Sequence, residues 1–314
     1  MKSKDKELFM KLLFIALCFI ASNFAFAEGR QVSESGIKHS FLFTGNKTCI
    51  FDEDSKIIWE VKGKSRDGYQ LPNGNLLIAF AKEVKEFTMD KKVLFHYKVQ
   101  KPNGEISTAQ RLKNGNTMIT ELGKKPRIIE VTPDGKIAVE VPLQPETNNQ
   151  HLQTRMARKL PNGNYLVPHL LAYAVKEYDP SGKVVKVFKT DIPELGGRKL
   201  KTWPFTAIRL PNGNTLVNCT LSHRTVEFGE NAKVVWLSDN KSTGNRYKDA
   251  CGLHQLSNGN RVITNHQQRD KSKVQIFEVD PSGKVVWEFF SKHVTPHEIH
   301  VLTTNGKKET SLLR

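Results

Sequence analysis

Residues that can bind or transfer an anionic group recur at one fixed place in the sequence. Six leucines recur along the chain, and a pair of residues lies five and four positions before each of them. The identity of this pair differs from one leucine to the next. The pairs are Arg66-Asp67, Ser107-Thr108, Arg155-Met156, Phe205-Thr206, Cys251-Gly252 and His297-Glu298. Guanidinium groups suit oxyanions because they donate in a planar fork, and an imidazole serves as nucleophile or general base. Side chains that change from copy to copy at one position favour a ligand site over a purely structural repeat.

Other candidates lie near these pairs in the predicted fold. His169 and His266 end or follow strands that run toward the same predicted surface, and Trp203 lies on a connection leading to it. The predicted ligand-binding set is Arg66, Asp67, Arg155, His169, Trp203, His266 and Glu298, with His297 as the candidate catalytic residue. His and Glu are acceptable metal ligands. No C-x-x-C spacing accompanies them, so we predict no metal centre and expect no cofactor.

A repeated turn predicts the elements that must position these residues. Leu-Pro-Asn-Gly-Asn or a close variant begins at Leu71, Leu112, Leu160, Leu210 and Leu256. Short apolar runs flank each copy. Asn-Gly favours a type I′ turn, in which both central residues have positive φ. Each copy therefore predicts a tight β-hairpin.

A second turn completes a unit of four strands. Asp-Pro-Ser-Gly or a relative of it occupies residues 132–135, 179–182 and 280–283, where proline presets φ and glycine accepts the left-handed conformation. Four strands in about 45 residues are typical of a propeller blade. Both kinds of turn would then lie on one face, so the starts of the inner strands would surround the channel mouth on the opposite face.

The two ends of the chain complement each other. An inner strand is predicted at residues 297–302, followed by a sixth Asn-Gly pair, whereas residues 38–43, 47–52 and 56–61 predict three strands without an inner one. Pairing the two partial units closes the ring and removes the exposed sheet edges. We therefore predict an all-β, six-bladed β-propeller of four-stranded blades in a single domain, residues 28–314. A solenoid is the alternative architecture.

Residues 1–27 predict export. Four lysines precede a short apolar run at 12–21, and the segment ends in Ala25-Phe26-Ala27, as in a Sec-type signal peptide. The run is too short to span a membrane, so we expect a secreted or periplasmic protein without a membrane span after cleavage. Cys49, Cys219 and Cys251 would remain, with Cys219 and Cys251 on neighbouring blades, either paired or free.

The charge of the chain indicates the class of partner. The formal net charge is +16, which favours an anionic ligand or an extracellular polysaccharide. The lysines are scattered through turns instead of clustered on one element, so no nucleic-acid partner is predicted.

The turn and strand motifs resemble a known enzyme family. Leu-Pro-Asn-Gly-Asn followed by an apolar strand, with Asp-Pro-Ser-Gly-Lys-Val-Val-Trp at 280–287, resembles the propeller repeat of bacterial arylsulfate sulfotransferases and, more loosely, PQQ-type repeats. In that pattern a His-Asp pair commonly opens an inner strand, and His297-Glu298 matches it with Glu in place of Asp. The resemblance implies that His297 takes a sulfuryl group from a phenolic ester, while Arg66, Arg155 and His266 bind the sulfate oxygens.

Three functions follow from these observations. The first, which we favour, is a non-catalytic propeller that binds an anionic small molecule or saccharide at the channel mouth. The second is a sulfuryl-transferring enzyme that acts through His297. The third is a scaffold for another exported protein, since fold alone does not choose between classes of function.

Overall fold

A computed structural model describes residues 28–314 and contains six antiparallel sheets arranged as the blades of a propeller. The predicted signal peptide, residues 1–27, lies outside the described residues. Short 3-10 helices lie in the connections at Gln150–Leu152, Pro193–Leu195 and Arg198–Leu200. In the described part of the chain, no helix has the length and apolar character needed to cross a membrane.

The strands of blades 1 to 3 come from the first half of the chain, except for two that come from its end. The first strand, β1 (Arg30–Val32), pairs with the outer edge of blade 6. Blade 1 contains β2 (His39–Gly45), β3 (Thr48–Phe51), β4 (Ile57–Val61), β25 (Pro296–Thr304) and the short β26 (Lys307–Lys308). Blade 2 contains β5 (Ser65–Gln70), β6 (Leu76–Phe80), β7 (Glu83–Phe87) and β8 (Val93–Lys98), and blade 3 contains β9 (Asn103–Arg111), β10 (Thr117–Gly123), β11 (Arg127–Val131) and β12 (Ile137–Pro142).

The remaining blades repeat this order. Blade 4 contains β13 (Arg158–Lys159), β14 (Tyr165–His169), β15 (Ala174–Tyr178) and β16 (Val184–Lys189). Blade 5 contains β17 (Trp203–Arg209), β18 (Thr215–Thr220), β19 (Arg224–Phe228) and β20 (Val234–Asp239). Blade 6 contains β21 (Ala250–Gln255), β22 (Arg261–Asn265), β23 (Ile276–Val279) and β24 (Val285–Phe290).

The predicted closure of the ring is confirmed. Strand β25 is the inner strand of blade 1 and pairs with β2 from His39↔Thr304 to Gly45↔Pro296. Aromatic side chains reinforce the junction between blades 6 and 1, since the ring of Phe289 lies 5.1 Å from Phe41 and 5.2 Å from Phe51. The two ends of the described chain therefore hold the six blades in one closed ring.

The predicted type of the Asn-Gly turns is wrong at the five Leu-x-Asn-Gly-Asn copies. In these turns positive φ occurs at the glycine, as at Gly74 (φ 87°), and not at the preceding asparagine. The amide of Gly74 donates to the oxygen of Leu71 over 2.9 Å, and the amide of Leu71 donates to Asn75 over 2.7 Å. This pattern is a type I turn followed by a left-handed residue, and it suits the proline of the repeat, whose ring presets a negative φ. Among the six Asn-Gly turns, the one at Asn305-Gly306 has positive φ at both residues (48° and 75°) and fits the type I′ prediction.

Buried carboxylates link neighbouring blades. Glu177 of blade 4 accepts hydrogen bonds from Asn164 Nδ2 of its own blade over 2.7 Å and from Arg209 Nη2 of blade 5 over 2.8 Å. The equivalent pairs between blades are Glu86 with Arg111, Glu130 with Lys159, Glu227 with Arg261, and Glu278 with His39. In blades 2, 4, 5 and 6 the second asparagine of the repeat thus has a structural role, because it donates to the carboxylate that joins its blade to the next.

We expect Glu177→Ala to lower the free energy of unfolding by about 2–3 kcal/mol, because it leaves Arg209 and Asn164 without their shared acceptor. Urea unfolding of the purified protein measures the effect. The matched control is Glu34→Ala, which removes a glutamate that is 94% exposed and should change stability by less than about 0.5 kcal/mol. Equal effects of the two substitutions would show that the inter-blade carboxylate contributes nothing.

Candidate functional site

A cavity of about 740 Å³ lies at the channel mouth, on the face opposite the Asn-Gly turns. Five of the six predicted inner-strand positions contribute to its wall. The lining side chains at these positions are Arg66, Arg155, Phe205, Cys251 and His297. Trp203 and His266 also line the cavity; Trp203, predicted on a connection, is the first residue of β17, and His266 follows β22. The structure therefore brings together five residues of the predicted site, namely Arg66, Arg155, Trp203, His266 and His297.

Asp67 and Glu298, which were predicted to bind the ligand, do not line this cavity. Each follows a lining residue by one position, and both side chains are fully buried in the next layer of the channel. Glu298 accepts a hydrogen bond from the hydroxyl of Thr206 over 2.5 Å and another from the amide of Leu253 over 3.3 Å. The alternation of side chains along a strand explains the correction, because residues one position apart point in different directions.

The layer beneath the cavity is a closed ionic network. Arg314 Nη1 donates to Asp67 Oδ1 over 2.6 Å, and Arg158 Nη1 donates to Asp67 Oδ2 over 3.0 Å. Burial alone would raise the pKa of Asp67, but the charges of Arg158 and Arg314 hold that pKa below its usual range. The guanidinium of Arg314 also lies 3.8 Å from the ring centroid of Tyr69. These contacts fill the channel below the cavity, so the cavity has a floor.

Glu298 is the carboxyl group of this layer without a salt bridge in the described residues. Burial, followed by the negative charge of Asp67, raises the pKa of Glu298 to about 7. Its proton is therefore lost near neutral pH, whereas an ordinary glutamate ionises near about pH 4.3.

Arg155 is a buried cation in the cavity wall. Its side chain donates to the main-chain oxygen of Thr154 over 2.8 Å and to that of His151. Within residues 28–314 it forms no salt bridge, although it is only 3% exposed. Burial, together with the charge of Arg66, lowers the pKa of Arg155 to about 10. The group stays charged at neutral pH. The negative charge of Glu105 acts on it from a distance, but no carboxylate of the described residues forms a salt bridge with it.

Arg66, by contrast, is compensated. Its guanidinium forms a two-pronged pair with Glu105, with N–O distances of 2.9 and 3.1 Å. His151 Nδ1 lies 3.4 Å from the same carboxylate. Burial alone would raise the pKa of Glu105, but the hydrogen bonds from His151 and Arg66 lower that pKa to about 2. This pair fixes the guanidinium of Arg66 at the edge of the cavity.

Two imidazoles present their Nε2 atoms without a hydrogen-bond partner in the described residues. His297 Nδ1 lies 2.7 Å from the main-chain oxygen of Arg66, and His266 Nδ1 lies 2.9 Å from that of Pro296. A carbonyl oxygen only accepts, so each Nδ1 carries a hydrogen. The rings meet edge to face with their centroids 5.2 Å apart. Burial, followed by the charges of His266 and Arg155, holds the pKa of His297 well below its usual range, so its Nε2 offers a lone pair.

His169 does not belong to the cavity. Its side chain is fully buried, with Nε2 2.9 Å from the Tyr178 hydroxyl and Nδ1 3.3 Å from Glu146. Its place on β14, the second strand of blade 4, keeps the ring one strand away from the channel axis. His266 follows the end of β22 in a loop, and that loop carries it to the mouth.

Apolar residues in connections complete the wall and were missed by the sequence analysis. They are Leu152 in a 3-10 helix, Leu170 after β14 and Leu221 after β18. The repeat gave no signal for them because connections between and within blades differ in length and composition. Leu221 adopts positive φ (61°), which turns the chain sharply at the mouth.

The described residues contain no group of three or more His, Cys, Asp or Glu side chains arranged to hold a metal ion. Cys49, Cys219 and Cys251 are buried free thiols. Of the two alternatives for Cys219 and Cys251, a disulfide or free thiols, the structure therefore has free thiols. Burial raises the pKa of Cys219 to about 12, which keeps its thiol protonated.

We expect Glu298→Gln to remove a pH dependence of stability. The unfolded chain loses the Glu298 proton near about pH 4.3 and the folded protein near pH 7, so ionisation of the buried carboxyl destabilises the fold as pH rises through that window. The free energy of unfolding of the unsubstituted protein, minus that of Glu298→Gln, should fall by about 3 kcal/mol between about pH 4.5 and pH 8. Urea unfolding at several pH values measures this difference. Glu60→Gln, on the exposed side of β4, is the control, and a flat difference for Glu298→Gln would contradict the expectation.

Comparisons with known proteins support the fold. A family model described as Mal s 1 allergenic protein-like matches residues 138–284, less than half of the chain. No curated protein matches the chain. A crystal structure of a Bacteroides caccae protein of unknown function is similar at 27% identity and a TM-score of 0.73, with 83% of this chain and 98% of that one covered.

More distant propellers share the architecture alone. A streptogramin B lyase structure is similar at 12% identity and a TM-score of 0.58, covering 88% of this chain and 92% of that one. A catalytically inactive His-to-Ala variant of virginiamycin B lyase from Staphylococcus aureus, with quinupristin, is similar at 12% identity and a TM-score of 0.57, covering 85% and 89%. The neighbours and the sheet order agree on a β-propeller, while the names arylsulfotransferase and PQQ-type repeat are not confirmed.

Proposed function

We propose that this protein binds an anionic small molecule, or the anionic end of a saccharide, in the cavity at the channel mouth. The observation that carries the proposal is the buried, unpaired guanidinium of Arg155. A buried charge without a counter-ion costs several kcal/mol. An anionic ligand supplies that counter-ion, and three of the five guanidinium hydrogens are free to donate to it.

The surroundings of Arg155 support the same ligand class. Arg66 lines the same cavity, and its charge contributes to the lowered pKa of Arg155. An oxyanion between the two guanidiniums would offset their repulsion. The net charge of +16 draws anions toward the protein over a longer range. The export expected from residues 1–27 would place the site in the periplasm or outside the cell, where anionic esters and polysaccharides are available.

Arg155→Met tests the proposal because methionine keeps much of the side-chain volume and removes the charge. We expect the dissociation constants of sulfate esters, phosphate esters and anionic oligosaccharides, measured by calorimetry, to rise at least tenfold, about 1.4 kcal/mol. The control is Arg198→Met, which removes a guanidinium that is 64% exposed and lies outside the cavity.

Two readouts separate loss of the site from loss of the fold. Thermal unfolding without ligand should show that Arg155→Met is folded, and each ligand should raise the melting temperature of the unsubstituted protein. Binding of these anions with unchanged affinity to a folded Arg155→Met variant would refute the proposal.

A second candidate function is sulfuryl transfer, which the orientation of His297 favours. Its Nδ1–H is held by the main-chain oxygen of Arg66, so the Nε2 lone pair is available in the neutral ring. In this reaction Nε2 attacks the sulfur of an aryl sulfate, the sulfur–oxygen bond to the aryl group breaks, and the phenolate departs. A phenol acceptor then takes the sulfuryl group and gives its proton to the departed phenolate. Virginiamycin B lyase is an enzyme of similar fold, so the architecture accommodates catalysis.

We expect, for this second function, a covalent adduct of one sulfuryl group on His297 when the protein meets an aryl sulfate without an acceptor. Mass spectrometry of the intact protein and its peptides detects the adduct. His297→Asn should abolish it, while His151→Asn, at the exposed rim, should leave it in place. Absence of both adduct and turnover with phenyl sulfate donors would reject the enzyme and leave the binding function standing.

A further inference from the structure

The cavity has two chemically different sides, and the order of the blades separates them. Blades 6, 1 and 2, with the connections that lead into them, contribute polar groups, among them Lys64, Arg66, His266 and His297. The carboxylate of Asp249 also lines this side, where it accepts hydrogen bonds from the Thr220 hydroxyl and the Leu221 amide. Blades 4 and 5, with the connections that lead into them, contribute the large apolar groups, which are Leu152, Leu170, Trp203, Phe205 and Leu221. Within residues 28–314, the lining side chains of blades 6, 1 and 2 include no leucine, phenylalanine or tryptophan. The polar and apolar sides therefore face each other across the channel axis.

Arg155 lies on the boundary between the two sides. It belongs to the chain segment that enters blade 4, and its guanidinium carbon lies 5.7 Å from the ring centroid of Phe205. Phe205 also contacts the polar side directly, since its ring meets that of His297 edge to face with the centroids 5.0 Å apart. An anion bound to Arg155 would therefore touch an aromatic wall as well as the cationic groups.

The size of the cavity exceeds what a bare anion needs. A volume of about 740 Å³ is typical of sites for organic ligands. Sulfate or phosphate alone would leave the wall formed by blades 4 and 5 in contact with water. A ligand with an apolar part would remove that surface from water and gain affinity in proportion to the area buried.

We infer that the ligand is amphiphilic, with one oxyanionic group bound by Arg155 and Arg66 and a compact apolar body packed against Trp203, Phe205 and Leu152. This inference rests on the proposed binding function and narrows it to a chemical class. Aryl or short alkyl phosphates, sulfates and carboxylates belong to that class. Sugar phosphates do not, because their hydroxyl groups would lose water against the apolar wall without gaining partners.

A matched series of phosphate monoesters tests the inference on the purified protein. The probes are inorganic phosphate, methyl phosphate, phenyl phosphate, hexyl phosphate and glucose 6-phosphate, with dissociation constants measured by calorimetry. We expect phenyl or hexyl phosphate to bind at least about tenfold more tightly than methyl phosphate, and glucose 6-phosphate to bind no more tightly than methyl phosphate. The better of the two esters shows whether the apolar body is a ring or a chain.

Variants of the apolar wall assign the gain to it. Trp203→Ala and Leu152→Ser should each remove most of the difference between phenyl and methyl phosphate while leaving the affinity for inorganic phosphate within about twofold. Leu200→Ala is the control, since Leu200 is 43% exposed and lies outside the cavity. Leu152 lies in a short surface helix and is partly exposed, so its substitution answers the question even if Trp203→Ala fails to fold.

The outcomes distinguish this inference from the function on which it rests. If all five probes bind with similar affinity and Arg155→Met abolishes their binding, the amphiphilic class is overturned and the anion-binding function stands. The same holds if glucose 6-phosphate binds most tightly. If none of the five phosphates binds, the amphiphilic class is overturned, and the sulfate esters and anionic oligosaccharides of the Arg155→Met experiment decide the anion-binding function separately.

Discussion

The pairing of β25 with β2 is the constraint on which the rest of the structure depends. Each blade buries its faces against two neighbours, and blade 1 has an inner strand only because β25, from the end of the chain, completes it. Closure of the ring also positions two candidate functional residues, because β25 contains both His297 and Glu298. An open array of the same hairpins would separate His297 from Arg66 and from Phe205, and the channel mouth would not exist as a cavity.

Buried charge in this protein falls into two groups with different consequences. Between blades, glutamates such as Glu177 are saturated by an arginine and an asparagine, and on the channel axis Asp67 is saturated by Arg158 and Arg314. Such networks are stable because each buried charge has its partners. The cavity differs, since within the described residues Arg155 is buried without a salt bridge and the Nε2 atoms of His266 and His297 have no hydrogen-bond partner. The guanidinium of Arg155 therefore lies where a ligand has access, whereas Glu177 between blades and Asp67 below the cavity have their partners.

Much of the fold was predictable because the signals for it are local. The spacing of the Asn-Gly turns indicated the blades, and the incomplete units at the two ends indicated how the ring closes. The predicted turn type was wrong because dihedral angles depend on the whole loop. Proline before Asn-Gly fixes a negative φ in three of the five copies, and the copies with Lys113 and Ser257 in its place adopt the same turn. The carboxylates between blades were also missed, since Glu177 and Arg209 are 32 residues apart and no local pattern connects them.

The sequence by itself determined which residues stand at the mouth end of each inner strand, because a strand in a repeat has a direction and a register that turns define. That was sufficient to find Arg66, Arg155 and His297. Only the tertiary structure decided which neighbours share the cavity and which turn away from it, as Asp67, Glu298 and His169 do. It also decided that Arg155 forms no salt bridge with any other described residue and that leucines from the connections form an apolar wall. These properties arise from distances between different blades, and such distances are set by packing the closed ring, which no single repeat encodes.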